Sequence, residues 1–144
     1  MAGKLYRFGT SASPRMPRLG EKARKLLEAK NFVFIATLNK DGSPHLTPVW
    51  VDTDGENVLI NTAVGRKKTR NIARDERVAV GVFDYANPYE HLTIQGKVSK
   101  LVKGKEAEAH IDRLAKKYLG KNTYPWRSPS EKRVILVIKP LKVY

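Results

Sequence analysis

Six runs rich in β-branched and aromatic residues constrain this chain more than any other feature. They fall at residues 32–38, 45–51, 58–62, 78–83, 91–102 and 133–138. Such residues fit the pleated, half-buried surface of a strand. Helical spacing is sparse by comparison. It occurs at residues 19–30, in a basic stretch near 66–75, and at 105–119, where Ala107, Ile111, Leu114, Ala115 and Tyr118 make an apolar face. No βαβ unit repeats, which argues against a doubly wound parallel sheet. The fold class expected is mainly β with flanking helices, closed into a small barrel. Asp-Gly within residues 39–43 predicts a tight hairpin turn, and 52–56 reads as a second turn. Pro48 cannot donate to a ladder, so its strand is expected at an edge, bulged or irregular. The long run at 91–102 is expected to kink at Gly96.

The 144 residues suffice for one domain with a real core. Residues 19–144 are assigned to it, and residues 1–18, which lack periodicity, to a flexible basic N-terminal arm. The formal charge of +14 predicts attraction to anions: nucleic acid, an acidic surface or a polyanionic small molecule. With no cysteine, disulfides, thiolate metal sites and a cysteine nucleophile are excluded. His45, His91 and His110 show no metal-ligand spacing, and no Ser–His–Asp order stands out. Without an apolar run of about 20 residues or a secretory signal, a cytoplasmic protein that does not enter the membrane is expected.

Residues 65–77 read GRKKTRNIARDER. Arg66, Lys67, Lys68, Arg70, Arg74 and Arg77 face only Asp75 and Glu76, between two strand-like runs. A strand feeding a helix with such a first turn suits a phosphate, because free amides, the macrodipole and full side-chain charges add together. The same charges would also suit a solvated face or a nucleic-acid patch.

Three motifs together resemble a known family. They are the segment from Ile35 to Trp50 (IATLNKDGSPHLTPVW), Gly65-Arg-Lys-Lys-Thr-Arg-Asn71 with Arg74-Asp-Glu-Arg-Val78, and His91-Leu-Thr-Ile-Gln-Gly-Lys-Val98. Tyr124-Pro-Trp-Arg127 before the last strand also fits. Over roughly residues 20–144 the chain resembles the flavin-binding split β-barrels of the pyridoxamine-phosphate-oxidase-like class, and within them the branch that uses the deazaflavin coenzyme F420 instead of FMN. The resemblance implies a homodimeric oxidoreductase with cofactor sites at the subunit interface and a small-molecule substrate. It places Arg66, Lys68 and Thr69 at the cofactor's phosphate end, and Thr47, Pro48, Val49 and Trp50 along its ring. Asn61 and Thr62 line the same cleft, and Trp126 with Arg127 approach from the partner chain.

Simpler roles stand beside these. Thr69 and Asn71 would equally serve local turns. Trp50 would serve as a core aromatic, and Trp126 as an interface anchor. No catalytic acid or base is expected, since the cofactor carries the redox chemistry. The high positive charge favours F420, with its phosphodiester and glutamate tail, over FMN as the alternative. A basic nucleic-acid-binding barrel is the remote rival. It needs aromatics interleaved with Lys and Arg on one exposed sheet face, and the aromatics here fall in strands and loops expected to be buried.

Overall fold

The computed structural model describes residues 19–144, so the arm expected at 1–18 lies outside them. Helix α1 (Gly20–Glu28) precedes a hairpin of β1 (Val33–Leu38) and β2 (Pro44–Val49). At its turn Gly42 adopts φ +88°, where a side chain would be strained, and the Asn39 N–H donates to the Ser43 carbonyl at 2.8 Å. Then come β3 (Asp52–Thr53), β4 (Val58–Ala63), α2 (Lys67–Arg74), β5 (Arg77–Phe83), β6 (His91–Lys103), α3 (Lys105–Leu119) and β7 (Arg133–Val143).

The seven strands form one antiparallel sheet in the order β2-β1-β5-β6-β7-β4-β3. Laid flat, edges six gaps apart would be separated by about 29 Å. Yet the edge strands β2 and β3 are joined by Trp50 and Val51 alone, which reach about 10 Å. The sheet therefore curls until its edges meet without pairing, a split barrel.

The period of two fills its interior. Val33 and Ile35 of β1, Val58 and Ile60 of β4, Val80 of β5, Ile94 of β6, and Leu136 and Ile138 of β7 are all fully buried. Each contributes about 1.5–3 kcal/mol by leaving water. Leu26 and Leu27 of α1 belong to the same core.

The expected kink is real. The β6–β7 register shifts between Gln95 and Gly96 and again between Val98 and Lys100. A Cβ at position 96 would lie 2.4 Å from the Lys139 carbonyl oxygen, so only glycine fits there. Pro48 is explained by position, since β2 is an edge strand and its register with β1 is unbroken through Phe34 and Pro48. Two readings needed correction. Residues 52–53 pair with β4 as a strand, and the turn starts at Asp54, whose carboxylate accepts from the Glu56 and Asn57 amides. The last strand runs on to Val143, with Pro140 tolerated opposite Gly96 at the bulge.

Helix α3 packs outside the barrel and makes a second small core. Ile111, Leu114 and Tyr118 meet Trp50 and Tyr124 there. This outer core floors the site.

Candidate functional site

Where β2 gives way to β3, a cleft of about 180 Å³ opens over that outer core. Pro48, Val49 and Trp50 border it from β2 and the following link. Asn61 lies on β4, Ile111 on α3 and Arg133 at the start of β7. Arg66 stands just before α2, and Phe32, Tyr124 and Trp126 complete the wall. The aromatic rings touch in series. Trp50 stacks on Tyr118 with centroids 5.1 Å apart and planes within 5°, Tyr124 meets Trp50 edge-on at 6.1 Å, and Trp126 meets Tyr124 edge-on at 5.6 Å. The Arg133 guanidinium lies 5.2 Å over the Tyr124 ring.

Three cations gather at one end. Lys68 is only 8% exposed, and its Nζ donates to Thr47 Oγ1 at 3.3 Å. Among the described residues it joins no ion pair. Burial, and then the positive charges of Arg66 and Arg133, push its pKa below the ordinary lysine value. Arg66 and Arg133 share one carboxylate, Glu131, at 2.6 and 2.9 Å. Hydrogen bonding to Arg66 is the main reason the Glu131 pKa is lowered. Arg66 is also the N-cap of α2, and it makes no side-chain cap to the helix amides. The arrangement leaves a buried ammonium beside two guanidiniums with a single acid between them, a donor set suited to an anion of more than one charge.

A polar network runs behind the cleft. Arg133 Nε donates to Asn61 Oδ1 at 2.9 Å. Asn61 Nδ2 donates to the Ala107 carbonyl at 2.9 Å and lies 3.1 Å from His110 Nδ1. His110 Nε2 lies 3.0 Å from Asp52 Oδ2. Burial works against the Asp52 carboxylate. The bonds from His110 and the Thr53 amide, with the charge of Lys117, outweigh it and lower the pKa.

The residues singled out from sequence divide. Pro48, Val49, Trp50, Asn61, Arg66 and Trp126 line the cleft, and Thr47 and Lys68 meet beside it. Trp126 lines the cleft of its own chain. Thr62 alternates to the barrel side of β4, where its hydroxyl is buried with no hydrogen-bond partner among the described residues. Thr69 serves its own turn, donating to the Arg66 carbonyl at 2.8 Å and accepting from the Gly65 amide at 3.1 Å. Asn71 ties α2 to Thr37 and Asn39 of the hairpin at 3.0 and 3.1 Å. Arg127 turns to Glu108 and Asp112 of α3. Sequence reasoning missed His110 and Arg133. A signal existed for the first: His110 falls on the apolar stripe of α3, three residues after Ala107 and four before Leu114.

Fold and cleft together define the class, a split β-barrel with a cleft at the seam between its edge strands. A family model described as pyridoxamine 5'-phosphate oxidase matches residues 19–144, and the chain belongs to that family. Among solved structures, one named F420 reductase is 30% identical, with 84% of this chain and 94% of that chain covered and a TM-score of 0.74. A conserved hypothetical protein from Mycobacterium tuberculosis is 22% identical over 92% of this chain and 88% of that one, with a TM-score of 0.67. A Listeria innocua protein proposed to be a pyridoxamine 5'-phosphate oxidase is 20% identical over 83% and 91%, with a TM-score of 0.62. The latter two show the fold alone. No match is found among curated proteins.

Proposed function

We propose that the protein is an oxidoreductase that binds coenzyme F420 in this cleft and transfers a hydride to or from a small organic substrate. The observation that carries the reading is Lys68: a buried ammonium with no carboxylate partner among the described residues, near Arg66 and Arg133 and beside an aromatic-walled cleft. The donor set fits a phosphate, and the neighbouring walls fit a planar ring. Lys68, Arg66 and Arg133 would hold the phosphate. Pro48, Val49, Trp50 and Trp126 would border the ring and keep water from one side of it. A deazaflavin, when bound, supplies two-electron hydride chemistry. The chain's part is binding and orientation, which lowers the entropy of encounter with a substrate.

Further observations refine the proposal. A cationic groove of about 500 Å³ runs beside the clamp, with Lys40 from the hairpin and Lys67, Arg70 and Arg74 from α2 against only Asp41. FMN has no use for it, whereas the glutamate tail of F420 would be attracted. The 30% identity to the F420 reductase points the same way. The cleft is also smaller than the roughly 300 Å³ at which ligand pockets begin. The outer face of β1, β2 and β5 bordering it exposes Phe34, Leu46 and Phe83 at 42%, 61% and 39%. A second copy packed on this apolar face would complete the site as a homodimer.

FMN is the second reading, because the clamp and the aromatic walls would accept its phosphate and ring as well. Titration of cofactor-free protein with each cofactor, followed by fluorescence, separates the two. Tight F420 binding with weak FMN binding is expected. The reverse establishes the second reading, and no binding of either refutes the site.

A further inference from the structure

We infer that His110 is a positioning residue for the cleft: its Nδ1 accepts an Asn61 N–H and thereby fixes the amide that holds Arg133. The inference rests on the reading above only in taking Arg133 as part of an anion site.

The donor and acceptor roles follow from groups that have no choice. Arg133 Nε can only donate, and the Ala107 carbonyl can only accept. Asn61 must therefore turn its oxygen to Arg133 and its nitrogen to Ala107. The second N–H on that nitrogen then points at His110 Nδ1, which must be the unprotonated ring nitrogen. The proton sits on Nε2 and is donated to the Asp52 carboxylate. Asp52 thus sets the tautomer, the bare Nδ1 gives the Asn61 amide a second acceptor beside the Ala107 carbonyl, and the amide so anchored holds the guanidinium that lines the cleft. His110 itself is fully buried and touches no cleft surface, so it acts through Asn61. Outer groups of this kind orient inner ones.

The ring's two ends can be tested separately. Asparagine places an amide near Nδ1 and keeps an acceptor for Asn61, whereas glutamine reaches the Nε2 position and keeps only the link to Asp52. His110→Gln should weaken binding of FMN and of F420 about tenfold and move the Arg133 Nε–H resonance in the cofactor-free protein. His110→Asn should leave both within about threefold of the parent. Unchanged affinity and an unmoved resonance in H110Q overturn the inference, and so does equal loss in both variants. If the parent binds neither cofactor, the functional reading fails, and the Arg133 resonance still decides the positioning role. Should H110Q not fold, the imidazole nitrogen shifts of the parent decide. A protonated Nδ1 overturns the assignment, and a bare Nδ1 with a protonated Nε2 upholds it.

Discussion

Replacing Lys68 with methionine should move stability and affinity in opposite directions. Lys68 is 8% exposed, its one hydrogen bond among the described residues is the 3.3 Å contact to Thr47, and the charges that bear on it are the positive ones of Arg66 and Arg133. Exchanging a poorly paired buried charge for an apolar group of similar volume commonly stabilises by about 1–4 kcal/mol. That figure is net of the bonds given up, and its lower half, a gain of about 1–2 kcal/mol, corresponds to ~3–6 °C in melting temperature. In the bound state the same ammonium would donate to phosphate, a charge-assisted bond of about 1.5–3 kcal/mol, so affinity should fall roughly 10- to 100-fold. The pH dependence gives an independent check. The folded-state pKa of Lys68 lies below its ordinary 10.5. Between those two values the unfolded chain binds a proton that the folded chain does not, so the parent gains stability as pH rises through that window. K68M should lack this gain. Thermal melts with and without F420 across pH 7–10.5, together with a binding titration, make the measurement. A K68M variant that melts lower without cofactor and binds it as tightly as the parent would make Lys68 a structural residue with no part in cofactor binding.

Other perturbations have equally defined outcomes. Gly96→Ala should cost about 1–3 kcal/mol in denaturant melts, because its methyl would press on the Lys139 carbonyl and the Ile138 side chain. Tyr118→Phe should cost about 1–3 kcal/mol, since the hydroxyl donates to the Asn31 carbonyl at 2.6 Å and accepts from the buried Val51 amide at 3.1 Å. Burial pushes the Tyr118 pKa up to about 12, so ultraviolet titration should show a tyrosine step there that Tyr118→Phe removes. Its contribution to stability should fall as pH rises from about 10 to about 12. The Asp52 pKa is lowered, so its contribution is present above the ordinary 3.8 and is lost as pH falls through the depressed value. Asp52→Asn should flatten the acid limb of the stability profile below about pH 4, as read by denaturant melts.

The strands were legible because their β-branched runs carry their own signal. Strand β3 was not, because Asp52 and Thr53 are polar and become a strand only through pairing with Leu59 and Val58. The extension of β7 was hidden by Pro140, which is tolerated only because it meets the bulge at Gly96. At the site, the cationic segment could be read from its placement between strand-like runs. Which cation is buried could not, since Arg66, Lys67 and Lys68 are neighbours in sequence and only Lys68 turns inward. Asn61 and Thr62 show the cost of ignoring alternation: adjacent on β4, they face opposite sides of the sheet. The Asn61–His110–Arg133 network joins residues 49 and 72 positions apart, and such pairings leave no local trace.

The proposed function stands on whether the buried Lys68 and the Arg66 beside it receive the phosphate of a planar redox cofactor. A crystal structure of the protein with F420 tests it most directly. Phosphate oxygens should lie within hydrogen-bond distance of Lys68 Nζ and the Arg66 guanidinium, with the ring along Pro48, Val49 and Trp50. A phosphate held elsewhere, with Lys68 still bonded only to Thr47, would contradict it.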